Sequence, residues 1–268
     1  MFSYIFQGIL QGFTEFLPVS SSGHLTLFQY FSGHANLEAN MLTDIVLHFS
    51  TLLAVLFFFR ADLLPYFTPA GWRDPARRRV ALLIIVGSIP TAAIGLLCKD
   101  FFEGLFSMPK AVCAALFFTG ILLLVSEKLK KTTSQTDLAD FSFGRAILVG
   151  IAQGLAITPG ISRSGSTIAT GLLLGLKGED AARFSFLLMI PAVGGATLLE
   201  GKDLIEAGLP AAIEPAALLA GAVAATCTGF LALKFLVYII REQKLAYFAY
   251  YLFVVSLASL TYIQFAGN

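Results

Sequence analysis

Apolar residues in this chain come in long unbroken runs, with neither the stripe of a surface helix nor the alternation of a half-buried strand. The runs at 42–60, 80–98, 109–126, 181–199, 215–240 and 246–265 each have the roughly 20 residues a helix needs to cross a bilayer. Two further pairs of apolar stretches are too short for that. Residues 2–14 and 24–32 are joined through Pro18 and a serine-rich turn, and 143–157 and 164–176 are broken by Pro, Gly and Ser. Such a pair predicts a re-entrant hairpin that enters and leaves on one side. The expected fold is all-α and integral to the membrane: six transmembrane helices plus two re-entrant helical hairpins.

The two hairpins echo each other at a spacing of 142 residues. Aligned without a gap, Gly8, Gln11, Gly12, Ser20, Ser22 and Gly23 fall on Gly150, Gln153, Gly154, Ser162, Ser164 and Gly165, while Ser21 falls on Arg163. A weaker echo sets Phe49-Ser50-Thr-Leu52-Leu53 against Phe184-Ser185-Phe-Leu187-Leu188. A duplicated scaffold within a single domain 1–268 is expected, one copy over about 1–126 and the other over about 143–265.

The cations fix the expected orientation. With each hairpin returning to its own side, one face collects Arg60, Arg73, Arg77, Arg78, Arg79, Lys128, Lys130, Lys131, Arg145, Lys177, Arg183, Arg241 and Lys244. The other has Lys99, Lys110 and Lys202. The positive-inside rule puts the first group in the cytoplasm and both termini outside. The hairpins then enter from opposite faces, which makes the repeat one of inverted topology. No basic residue precedes the first apolar run, so a cleaved signal peptide is not expected. Lys234 is expected to snorkel towards the cytoplasmic boundary.

Composition agrees with this reading. With 57% hydrophobic and 13% charged residues and a net charge of +1, the chain lacks the charge a soluble surface needs. The basic clusters read as topology determinants beside lipid headgroups, and no nucleic-acid partner is expected. Cys98, Cys113 and Cys227 have no metal-ligand spacing and are expected as small buried hydrophobes.

Polar chemistry concentrates at the hairpin tips. Gln11 and Glu15 stand i, i+4 on a predicted helix and share one face. A carboxylate at this depth needs water, a cation or a partner, so Glu15 is a candidate base or cation ligand, or the partner of an internal cation. Ser20-Ser21-Ser22-Gly23 precedes a short helix, where hydroxyls and backbone N–H groups cap the helix or cradle phosphate oxygens. His24, three residues after Ser21, is a candidate acid or base, or a packed hydrogen-bonded group. Ser162-Arg163-Ser164-Gly165-Ser166-Thr167 is the same cradle with a guanidinium added. Arg163 reads as an anion clamp, as the salt-bridge partner of Glu15, or as both. Asp44 and His48, i, i+4 on the first full span, are expected to support this site.

At these residues the sequence closely resembles the undecaprenyl-diphosphate phosphatases of the bacitracin-resistance type. Their Glu/Gln-x-x-x-Glu motif is matched by Gln11 to Glu15, running on through Phe16-Leu-Pro-Val-Ser-Ser-Ser-Gly-His24. Their second signature, Pro-Gly-x-Ser-Arg-Ser-Gly-x-Thr, is matched by Pro159 to Thr167. The resemblance implies a bacterial cytoplasmic-membrane enzyme, open to the external side, that removes the terminal phosphate of a C55 isoprenyl diphosphate. It implies a divalent cation, Mg²⁺ or Ca²⁺, with Glu15 and Gln11 as the candidate ligands. Glu15, Ser21, His24 and Arg163 match the family's essential positions. Gln11, Ser22, Ser162 and Thr167 match supporting ones, and Ser20, Gly23, Ser164 and Gly165 complete the expected substrate cradle. Many relatives carry Glu at the position of Gln11. The expected partners are the polyprenyl diphosphate and membrane lipid, with a homodimer as a candidate assembly. The rival function is a transporter or flippase of a lipid phosphate, which needs the anion clamp but no nucleophile.

Overall fold

The computed structural model describes residues 1–32, 37–130, 135–208, 214–242 and 244–265, with backbone alone at 37–41, 207 and 241. Of the cations used for orientation, Lys131 and the Arg241 side chain lie outside the described residues. The main helices are α1 (Phe2–Phe16), α2 (Ser21–Ser32), α3 (Leu37–Phe58), α4 (Pro75–Leu97), α5 (Pro109–Leu129), α6 (Phe143–Leu155), α7 (Arg163–Leu173), α8 (Gly178–Ala207), α9 (Pro215–Arg241) and α10 (Ala246–Phe265). Five are long and apolar enough to span a membrane. A sixth span results if Leu42–Phe58 is joined to Arg60–Phe67 across a 69° bend. Large apolar side chains such as Ile89, Leu97, Leu198, Val254 and Phe265 point outward. Water does not tolerate such a surface and lipid does, so this is a multi-pass membrane protein.

The two broken pairs appear as α1–α2 and α6–α7, and none of these four helices is long enough to cross. At 15 residues α1 reaches about 22 Å, short of the roughly 30 Å hydrocarbon core. Some boundaries differ from those read in the sequence. The helix expected from 24 starts at Ser21 because the Ser20 hydroxyl accepts from Gly23 N at 3.2 Å and caps it. The basic stretch Trp72–Arg79, which follows the first expected span, is largely helical. There Asp74 accepts from Ala76 N at 3.0 Å and Pro75 fixes the first turn of α4, which then carries Arg77–Arg79. The cysteine expectation holds for Cys113 alone. Cys98 and Cys227 are exposed, Cys227 in an apolar groove with Phe57 and Phe230, where a thiol facing lipid needs no partner. Lys234 is exposed, its ammonium 4.8 Å from the Phe230 ring.

The hairpins are seated by glycine. In α1, Gly8, Gln11, Gly12 and Glu15 form one stripe (i, i+3, i+4, i+7) whose glycines lie on α9. A β-carbon at Gly8 would lie 2.1 Å from the Gly221 carbonyl oxygen, and one at Gly12 2.0 Å from the Thr228 hydroxyl. In α6, a β-carbon at Gly150 would lie 1.8 Å from the Gly87 carbonyl oxygen of α4, and Gly154 sits against Ile94. These small-x-x-x-small faces let backbones touch, which is how helices gain packing energy where lipid removes the hydrophobic drive. The cores divide in two. The larger joins α3, α4, α8 and α9 around Phe16, Leu83, Phe184 and Leu236, and the smaller joins α2, α5 and α10 around Leu27, Leu116 and Leu252. The hairpin tips meet between them.

Candidate active site

Glu15 ends the buried stripe of α1, its side chain only 3% exposed. The α1 turn breaks at Leu17 and Pro18, and the chain reverses through Ser20, a non-glycine residue with φ +70°. A serine held in this left-handed region costs free energy that its surroundings must offset. The reversal carries the Ser21 hydroxyl back onto α1, where it donates to Glu15 Oε2 at 2.5 Å. Gln11 Nε2 donates to the same oxygen at 2.9 Å.

The second tip copies the local geometry of the first. Ser162 Oγ accepts from Gly165 N at 3.0 Å, as Ser20 Oγ does from Gly23 N. The Ser162–Ser164 hydroxyls lie 3.2 Å apart, and those of Ser20–Ser22 3.3 Å. The tips then touch. Ser164 Oγ donates to the Leu17 carbonyl at 3.0 Å, Gly165 packs on Pro18, and Gly23 on Gly160. Through this contact Arg163, the first residue of α7, extends Nη2 to Glu15 Oε1 at 2.5 Å. One carboxylate therefore holds the Ser21 hydroxyl on one oxygen and the Arg163 guanidinium on the other, although 142 residues separate them in sequence.

The pair is an incomplete ion site. Arg163 Nη1 is buried and has no protein partner, and Gln11 Oε1 is in the same state. Buried polar groups are normally satisfied, and a free guanidinium donor beside a hydroxyl is chemically suited to an anion's oxygens. The donors present also suit a divalent cation, by way of Glu15 and the free Gln11 Oε1. Among the described residues no three His, Cys, Asp or Glu side chains form a metal-holding group. A cation held there would take one carboxylate from protein and most of its oxygens from phosphate and water.

The remaining expected residues are placed as follows. Ser20 and Ser162 cap their helices, and Ser22 bonds to Ser20. Ser164 ties the hairpins together, and Gly23 and Gly165 let the tips approach. Thr167 donates within α7 and bonds Ser185 of α8 at 2.6 Å. His24 does not turn to Ser21. Its Nδ1 bonds the Ser20 carbonyl at 2.8 Å, and its Nε2 bonds the Tyr251 hydroxyl of α10 at 2.8 Å. The histidine beside Glu15 is His48, Nε2 to Oε2 at 3.8 Å, with its Nδ1 donating to the Asp44 carbonyl at 2.8 Å. His48 was legible as an ionisable group inside a span. Tyr251 gave no such signal, being one of three tyrosines within five residues of the last span. Gln153, aligned with Gln11, bonds Thr91 at 3.1 Å, and Ile157 stands where Glu15 would fall. The second hairpin thus repeats the frame without the carboxylate.

The chain resembles known proteins along nearly its whole length. Residues 4–258 match the family described as bacitracin resistance protein BacA. An undecaprenyl-diphosphatase of Halothermothrix orenii is 44% identical over 258 residues, 96% of each chain. One of Carboxydothermus hydrogenoformans is 42% identical over 269 residues, covering 100% of this chain and 98% of the relative. One of Syntrophotalea carbinolica is 46% identical over 254 residues, 92% of this chain and 93% of the relative.

Proposed function

Because this chain belongs to the bacitracin resistance protein BacA family, we propose that it is an undecaprenyl-diphosphatase, converting undecaprenyl diphosphate to undecaprenyl phosphate and inorganic phosphate. In a cell this returns the lipid carrier to wall synthesis and confers bacitracin resistance. The carrying observation is the Glu15 carboxylate shared by a hydroxyl and a guanidinium. A carrier would need the guanidinium; the hydroxyl bonded to a base belongs to a hydrolase.

Arg163 clamps the diphosphate through the fork whose Nη1 has no protein partner, and the N-terminus of α7 adds its dipole. Ser21 Oγ attacks the terminal phosphorus while its proton passes to Glu15 Oε2. The anhydride P–O bond breaks, and undecaprenyl phosphate leaves. Glu15 passes that proton to the departing phosphate, takes another from the water that attacks the seryl phosphate, and returns it to Ser21 Oγ as the Ser–O–P bond breaks and inorganic phosphate leaves. Glu15 and Gln11 Oε1 would hold a divalent cation, Mg²⁺ or Ca²⁺, whose charge helps neutralise the diphosphate.

We place the protein in the bacterial cytoplasmic membrane as an inverted-topology repeat, with both termini and the site towards the external side. The cation distribution supports this, as does the exchange of partners, α1 packing on α9 of the second half and α6 on α4 of the first.

The test uses purified protein in detergent with farnesyl diphosphate. Metal-dependent phosphate release should vanish in Arg163→Ala and Ser21→Ala, and rapid quenching of a labelled diphosphate should leave phosphate on Ser21. Wild-type protein that releases none refutes the hydrolase.

A further inference from the structure

His24 is the ionisable group at the first tip that does not reach the reacting hydroxyl, and its two bonds state its role. The Ser20 carbonyl can only accept, so Nδ1 carries the proton. In the neutral ring Nε2 is then the acceptor, and the Tyr251 hydroxyl is its donor. The two rings are nearly parallel, 5° between planes with centroids 5.6 Å apart, so the phenol fixes the plane of the imidazole as well as one nitrogen. The His24 backbone N–H donates to the same Ser20 carbonyl at 3.2 Å. Both bonds therefore close on the peptide unit joining Ser20, at φ +70°, to Ser21. A residue in that conformation persists only where its neighbours over-determine it. The segment it holds carries the hydroxyl to Glu15.

We infer that Tyr251 is a positioning residue for Ser21, acting through His24 on the left-handed backbone of Ser20. This rests on the hydrolase reading and extends it to α10, none of whose described residues contributes a group to the Glu15 cluster. It also assigns His24 to backbone support in place of proton transfer, since both ring nitrogens are engaged away from Ser21.

The test is a double-mutant cycle on phosphate release from farnesyl diphosphate by the full chain in detergent. Tyr251→Phe removes one hydroxyl and leaves the stacked ring. It should lower kcat about tenfold, the size of one hydrogen bond to a positioned group, and leave KM within twofold. Ser20→Gly makes the positive φ free, so in that background adding Tyr251→Phe should cost less than twofold. Ser20→Asn, which tolerates the left-handed region and keeps a capping oxygen, should show the same loss of dependence. Hydrogen exchange of the peptide over residues 17–27 gives a readout independent of turnover. Exchange should quicken in Tyr251→Phe relative to wild type, and the hydroxyl should make no difference to it in the Ser20→Gly background. A tenfold loss that persists in both Ser20 backgrounds, or a Tyr251→Phe enzyme equal to wild type in kcat and exchange, overturns the inference. Wild-type protein that releases no phosphate refutes the hydrolase reading, and the exchange cycle still decides the role of Tyr251.

Discussion

Glu15 holds Arg163 by one oxygen and Ser21 by the other, and in the proposed reaction its negative charge opposes that of the arriving diphosphate. Glu15→Gln should therefore separate binding from turnover. With its counter-charge gone, the buried guanidinium should grip a diphosphate more tightly, seen as a larger substrate-induced rise in melting temperature, while kcat falls about a thousandfold for want of a base. A variant with wild-type kcat would remove Glu15 from the chemistry. Arg163→Lys keeps the charge and loses the fork, so kcat/KM should drop by about 10²–10³, measured by steady-state phosphate release. At this scale much was legible. Gln11, Glu15, Ser21 and Arg163 stand out because charge and hydroxyls are costly inside a membrane and need a reason. The direction of His24 was not legible, because its partner Tyr251 lies 227 residues away.

Among the elements, the seats of the two hairpins depend on single hydrogen atoms. Gly150→Ala would drive a methyl group against the Gly87 carbonyl and should cost about 1–3 kcal/mol, seen as a lower melting temperature in detergent and reduced activity. Gly195→Ala in α8, where no atom beyond its own helix backbone and chain neighbours lies within 4 Å of the added carbon, should be neutral or stabilising by up to about 1 kcal/mol. Equal destabilisation by both would show that contact with Gly87 is not what seats α6. The glycine echo at Gly8, Gly12, Gly150 and Gly154 was visible in the sequence as a repeat. Its function, backbone contact with α9 and α4, became clear only when the partners were known.

For the whole molecule, the sidedness of the loops is the testable quantity. With the native cysteines replaced, Glu103→Cys, between α4 and α5, should react with a membrane-impermeant maleimide in intact cells. Asp137→Cys, between α5 and α6, should react only after permeabilisation. The reverse pattern would invert the proposed orientation and turn the site towards the cytoplasm. Lys99 bonds Asp203 of α8 at 2.7 Å, joining the two halves, and Lys177 bonds Asp137 of the connection between them at 2.5 Å, one pair on each expected face. Both are exposed and should add little to stability.

Hydropathy alone determined the solvent of this protein and the two places where the chain turns back within it. An apolar run either is or is not long enough to cross, and a backbone break in lipid must be paid for by polar neighbours near it in sequence. The meeting of the tips is another matter. Which hydroxyl faces which carboxylate depends on the φ of Ser20, on the Ser164–Leu17 bond and on a tyrosine from the last helix. These contacts join residues far apart in the chain, and only the packed helices bring them within hydrogen-bonding distance.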